Sequence, residues 1–276
     1  MDDALALMDD EFLRARNRHG SIEKRFPSLI RRQDPGNLFI ARTQRGIASV
    51  LVTHDTQIDA FRVVRQVGMV STKPEYRKRG IASALIQFAQ SSMARDGVRF
   101  ALLWTNAHPF YARLGWWISD LSCVTSVQGC RQIESRTSYE IDIARVRQAD
   151  AIRHEWKRDA LPRSNETWST VPPHADEVEL ILDDYGYALI GKKNGTGYLY
   201  EMCGPQHSWP ILWKRLRSRY RYIIANGQSG SAWVRWMSRE NDAVWRHNPL
   251  AMHLAPATIA RSGSASMPHF SVIDRI

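Results

Sequence analysis

Cysteine is scarce in this chain: 3 in 276 residues, at Cys123, Cys130 and Cys203. An odd number without C-x-x-C spacing argues against a disulfide framework and against a structural zinc site, and it suits a reducing cytoplasm. No apolar run approaches the ~20 residues that cross a bilayer. The acidic start Met1-Asp2-Asp3 lacks the basic-then-apolar pattern of a secretory signal. Neither G-x-x-x-x-G-K-[ST] nor G-x-G-x-x-G occurs, which removes two common nucleotide-phosphate loops. The 9 histidines form no ligand-like group, and His154-Glu155 is not followed by the second histidine of a zincin. No metal and no membrane partner are expected.

What is present is an ordinary globular composition, 43% hydrophobic and 24% charged, with a formal net charge of +10. The positive balance favours anionic partners. No basic run exceeds Arg77-Lys78-Arg79, whereas a nucleic-acid module usually concentrates its cations. Only salt-sensitive, sequence-independent nucleic-acid binding is therefore expected.

The most informative stretch runs from Val70-Ser71-Thr72 through Lys73-Pro74-Glu75-Tyr76 to Arg77-Lys78-Arg79-Gly80-Ile81-Ala82. A β-branched run ends at a proline, a basic turn follows, and an apolar-periodic helix begins after Gly80. Such a helix start offers unpaired N–H groups and the positive end of the dipole. Gly80 has no Cβ to hold a ligand away from the backbone. This combination suits a pyrophosphate. The bland alternative is a solvated basic turn.

The order Arg77-x-x-Gly80-x-Ala82, with its lead-in Val70-x-Thr72-x-Pro74-Glu75-Tyr76, resembles the acyl-CoA signature of the GNAT acetyltransferase superfamily. Downstream, Phe110-Tyr111-Ala112-Arg113-Leu114-Gly115-Trp116 resembles that family's second motif, F-Y-x-R-x-G-F. The resemblance covers residues 35–120. It implies an α/β fold with a mixed sheet, acetyl-CoA as cosubstrate, and direct attack by a primary amine acceptor within a ternary complex. On the same resemblance, Val70, Ser71 and Thr72 would contact the acyl and pantetheine portions. Backbone N–H groups from Arg77, Lys78, Arg79, Gly80, Ile81 and Ala82 would hold the pyrophosphate, with Ser83 adding a hydroxyl and Asn106 touching pantetheine. Tyr111 would be the general acid; the bland alternative is a packing tyrosine. The strand Gln66 to Thr72 has no carboxylate to serve as base, which leaves His54, Asp55 and Glu201 as candidates by position.

Local patterns give helices over 3–16 and 21–32, a turn at Asp34-Pro35-Gly36, and a hairpin of 38–41 with 47–52. Strand runs follow at 61–64 and 67–70. The helix after Gly80 buries Ile81, Ala84, Leu85, Phe88, Ala89 and Met93. A continuous apolar strand, 100–104, completes a βαβ unit. From about residue 145 the order strand, strand, helix, strand, helix, strand repeats without the basic turn. The chain therefore reads as 1–144, a GNAT domain; 145–256, a degenerate GNAT-like domain or an unrelated structural one; and 257–276, a tail. Competing functions are a non-catalytic acyl-CoA-binding regulator and a nucleic-acid-binding protein.

Overall fold

A computed structural model describes residues 1–26, 37–59, 62–118, 122–130, 141–157, 163–172, 174–241 and 243–254. The expected turn at 34–36, the end of the second helix and the tail lie outside these residues. In chain order the elements begin with α1 (Asp2–Phe12), α2 (Ile22–Arg25), β1 (Leu38–Thr43), β2 (Gly46–Asp59) and β3 (Arg62–Thr72). Next come α3 (Ile81–Arg95), β4 (Phe100–Trp104), α4 (His108–Ala112), β5 (Trp117–Ile118) and β6 (Ser122–Gln128). The later elements are α5 (Ile143–Trp156), α6 (Asn165–Trp168), β7 (Glu177–Leu182), β8 (Tyr187–Lys193), β9 (Thr196–Cys203), α7 (Ser208–Arg219), β10 (Tyr222–Gln228), α8 (Ala232–Glu240), β11 (Arg246–His247) and β12 (Ala251–Leu254).

Two six-stranded mixed sheets share one strand order. The first reads β1-β2-β3-β4-β12-β5 and the second, from its far edge, β7-β8-β9-β10-β6-β11. In each, three antiparallel strands lead through a helix to a parallel strand: α3 carries β3 to β4, and α7 carries β9 to β10. The next strand in each sheet is borrowed. β6 follows β5 in the chain but pairs along its whole length with β10. β12 follows β11 but pairs with β4 on one side and β5 on the other. The compact units accordingly divide between β5 and β6, and β12 belongs to the first. The boundary expected at residue 144 misses this, because nothing local in a short strand says which sheet it will join.

In the first unit α3 buries Leu85, Ile86, Ala89 and Met93 on one sheet face, with Leu51, Val67, Leu103 and Met252. Each of these leucine, isoleucine, valine and methionine side chains contributes on the order of 2 kcal/mol when fully buried. Ala84 and Phe88, expected inside, are exposed. Arg65 fixes the far end of α3. It forks onto both oxygens of Asp55 at 2.6 and 2.8 Å and reaches Asp96 at 2.6 Å. The opposite face packs Ala4, Leu7 and Met8 of α1 against Val50, Val52 and Met69. α1 stops at Phe12, earlier than the expected 16, and Asn17 turns left-handed at φ 52° shortly after.

The second unit is built around two clusters, one on each side of its sheet. α7 and α8 contribute Trp209, Leu212, Trp213, Leu216, Trp236 and Met237 to one. α5 contributes Val146, Ala149 and Ile152 to the other. The borrowed strands make a direct prediction. Met252 is 1% exposed within the first unit's core, so Met252→Ala should cost about 2–5 kcal/mol. A fragment of residues 1–144 lacks β12 and should show no cooperative denaturant transition. A fragment that unfolds cooperatively would contradict the borrowed-strand account.

Candidate active site

The site begins where a ladder stops. β3 and β4 pair in parallel at only three positions, Val64 with Phe100, Arg65 with Ala101 and Gln66 with Leu102. Both strands continue, to Thr72 and Trp104. On its other side β3 stays zipped to β2, but with a bulge: Gly68 opposes Val52 and Ser71 opposes Val50, so Met69 and Val70 together face Leu51. Met69 adopts φ 53° there. A bulge bends its strand and adds twist, and this one lies just beyond the last β3–β4 pair, Gln66 with Leu102. Beyond Gln66, β3 therefore presents a backbone edge that β4 does not pair. Val70 and Thr72 are half-buried along it and Ser71 is buried.

The hydroxyls of this strand end are engaged with β2 and within β3 itself. The Ser49 hydroxyl lies 2.8 Å from that of Thr72 and 2.9 Å from the Ser71 carbonyl. The Ser71 hydroxyl donates to the Met69 carbonyl at 3.3 Å. Any ligand along this edge meets backbone rather than hydroxyl groups.

At the end of the edge the chain turns into α3. A 3-10 turn over Pro74–Tyr76 takes the N–H of Arg77, which donates to the Pro74 carbonyl at 3.2 Å. The Arg77 side chain is also committed, Nε to the Thr72 carbonyl at 3.0 Å and Nη2 to Glu11 at 2.5 Å. Arg77 therefore braces the turn against α1, and its N–H is not among the groups offered to a ligand. Lys78 and Gly80 are left-handed, at φ 59° and 79°. Arg79 lies 5.7 Å from the centre of the Tyr76 ring. The first intrahelical bond runs from the Ala84 N–H to the Gly80 carbonyl at 2.9 Å, so the N–H groups of Ile81, Ala82 and Ser83 precede the ladder, at the positive end of the dipole.

Tyr111 sits on α4, just after β4. It is 8% exposed, with Phe110 and Trp116 edge-on at 4.9 and 6.4 Å. Among the described residues no hydrogen-bond partner engages its hydroxyl. Burial pushes its pKa up to about 12, so it holds its proton at any ordinary pH. Gln90 of α3 ties down the following turn, donating to the Leu114 carbonyl at 2.9 Å. Asn106 lies exposed in the bend before α4.

The base candidates fare differently. Asp55 is held by Arg65. Glu201 lies in the second unit, fully buried, where it accepts from Lys157 at 2.8 Å, Arg163 at 2.5 Å and the Tyr187 hydroxyl at 2.9 Å. Burial works to raise its pKa, but Arg163, Lys157 and Arg153 outweigh it and hold the carboxyl well below its usual range. An anion so held is a poor proton acceptor, and Glu201 is withdrawn as a base. His54 stays on β2, opposite Gln66. The sequence pattern assigns its last strand, 250–254, to the second half; as β12 it instead joins β4 and brings His253 beside Leu102, a partnership that no local signal marks.

The second unit has the equivalent splay without the turn. β9 and β10 pair from Thr196 with Tyr222 to Leu199 with Ala225, and β9 continues to Cys203. Its connection to α7 has no Lys or Arg, and the Trp209 indole N–H donates to the Gly204 carbonyl at 3.1 Å.

Residues 1–119 match the family model described as an acetyltransferase (GNAT) domain. No curated protein matches the chain. Among solved structures, a probable N-acyltransferase of Enterococcus faecalis matches with a TM-score of 0.64 at 15% identity, over 91% of this chain and 70% of that one. A GCN5-related N-acetyltransferase of Anabaena variabilis matches with a TM-score of 0.65 at 14% identity, over 91% and 69%. Eis1 of Mycobacterium abscessus matches at 0.62 and 13%, over 94% and 72%. At these identities the likeness establishes the fold. Among the described residues no helix is long and apolar enough to cross a membrane.

The turn makes its own prediction. A Cβ at Gly80 would meet nothing within 4 Å, so Gly80→Ala should cost about 1–2 kcal/mol from the left-handed backbone alone. Thermal unfolding measures this. An unchanged midpoint would show that the turn relaxes.

Proposed function

Starting from a chain whose first 119 residues match the GNAT acetyltransferase domain and whose fold is that of GNAT N-acetyltransferases, we propose that it transfers the acetyl group of acetyl-CoA to a primary amine. The observation that carries this reading is the splay after Gln66, which ends at a helix start with free N–H groups.

In this reading the pantetheine arm lies along the unpaired edge at Val70, Ser71 and Thr72, extending a ladder that β4 has left. The pyrophosphate rests on the N–H groups of Lys78 to Ala82, with Ser83 in the same turn, and Lys78 and Arg79 supply charge. Asn106 stands beside the arm. The neutral amine nitrogen attacks the thioester carbonyl carbon. The C–S bond then breaks, and the departing thiolate takes the proton of the Tyr111 phenol, which solvent restores. The amine proton leaves to water, since no carboxylate on β3 is available for it. Free thiols at all three cysteines suit a reducing compartment such as the cytoplasm.

The same lack of a carboxylate favours a second reading, an acyl-CoA-binding regulator without turnover. One substitution distinguishes the two. Tyr111→Phe keeps the ring packing and removes the proton. In an amine screen reporting CoA thiol release, it should cost at least about 10²-fold in kcat while acetyl-CoA affinity stays nearly constant. The wild-type rate should climb through about pH 10 as amines lose their protons, because the phenol, pushed up to about 12, stays protonated. Full activity in Tyr111→Phe would make Tyr111 a packing residue. No thiol release with any amine, alongside acetyl-CoA binding, would leave the regulator.

A further inference from the structure

The sequence holds three steps at which a side-chain carbonyl precedes a glycine: Asn194-Gly195, Asn226-Gly227 and Asp96-Gly97. At such a step the glycine nitrogen can attack the preceding side-chain carbon, because glycine has no Cβ to crowd the approach. The fold sets the three apart.

Asn194 and Gly195 form the turn between β8 and β9, which the pair Lys193 with Thr196 closes. Both are left-handed, at φ 48° and 74°, in the kind of hairpin turn that favours Asn-Gly. Both are exposed. The Gly195 carbonyl accepts from the Arg221 N–H at 3.0 Å. The Gly195 N–H and the Asn194 side-chain amide engage no partner among the described residues. Nucleophile and electrophile are thus both unbound and in water.

The other two steps are restrained. Asn226 and Gly227 lie within β10, paired with Val124 and Cys123 of β6. Gly227 is buried, its carbonyl accepts from the Cys123 thiol at 3.4 Å, and a Cβ there would collide with Val234. A ring could form at that step only if β10 left its sheet. At Asp96-Gly97 the carboxylate is held by Arg65 at 2.6 Å, and the Gly97 N–H donates to the Ala94 carbonyl at 3.3 Å.

We propose that Asn194 is a site of spontaneous covalent modification, by deamidation through a cyclic imide. The Gly195 nitrogen gives its proton to solvent base and attacks Cγ of Asn194. A C–N bond forms, the Cγ–Nδ2 bond breaks, and Nδ2 leaves as ammonia. Water then opens the imide at either of its carbonyls, giving aspartate or a β-aspartyl linkage. Water is consumed and ammonia released, with no oxidant or reductant. Either product adds a carboxylate to the depression that Lys192, Lys193, Asp176 and Glu177 also line. The β-linkage in addition lengthens the backbone of a turn whose length fixes the β8–β9 register. None of this rests on the acetyl-transfer reading.

The test incubates the full chain in mildly alkaline buffer and follows each peptide by mass spectrometry, which registers the exchange of amide for carboxyl. The Asn194 peptide should convert at least about tenfold faster than the Asn226 peptide, because reaction within β10 waits for local opening. In guanidinium chloride the two rates should converge. In mildly acid buffer conversion at Asn194 should slow, since the attacking nitrogen keeps its proton.

Equal rates at Asn194 and Asn226 in the folded chain would overturn the proposal. So would an Asn194 that stays intact in the folded chain while both sites convert in denaturant. Conversion at Asn194 without any β-aspartyl product would indicate direct hydrolysis in place of the imide, and would equally overturn it.

Discussion

The three-position parallel ladder between β3 and β4 is the constraint on which the first unit depends. Each backbone N–H and C=O that leaves a ladder needs a new partner, so a strand pair that separates partway creates an obligation. The ladder ends at Gln66, the bulge at Met69–Val70 follows on the same strand, and the long β2–β3 pairing, from Asp59 with Arg62 to Ser49 with Thr72, holds the strand on its other side. Arg65 anchors α3 at one end through Asp55 and Asp96. Arg77 braces the other end through Glu11 and the Thr72 carbonyl. The edge and the helix start are thus held at fixed positions before any ligand arrives, which is the preorganisation that binding rewards.

The borrowed strands set a second constraint. β4 forms one wall of the splay and is held in place on its other side by β12, which the chain supplies only after the whole second unit. The site in the first unit is therefore incomplete until residue 254 is made. The second unit repeats the strand order, but its turn has no Lys or Arg, Trp209 donates to Gly204 there, and its cluster of Trp209, Trp213 and Trp236 serves packing. The strand order is thus shared by the two units, and the basic turn is confined to the first.

Local chemistry was legible in the sequence, and partnership was not. The α3 face, the Pro74 stop and the Gly80 start are written in spacing and turn residues, and α3 forms where the pattern puts it. The hairpins around Gln44-Arg45-Gly46 and Asn194-Gly195 follow from the same kind of signal. Leu250–Leu254 reads as a strand and is one, yet its apolar residues suit either sheet equally, and it joins the first. β6 and β7 went unread. Arg77 looked like one cation of three; its engagement with Glu11 rests on a contact 66 positions away. Glu201 looked available until the cations around it were seen. Ion pairs and sheet neighbours depend on the folded path, which no window of residues contains.

The central claim is that the unpaired edge of β3 and the start of α3 together receive acetyl-CoA. Backbone hydrogen exchange with and without acetyl-CoA tests it most directly. The account predicts that protection rises over Val67–Thr72 and Lys78–Ser83, with no comparable change at the start of α7. Binding that leaves those amides exchanging at their free rate, or that protects the second unit instead, would contradict it.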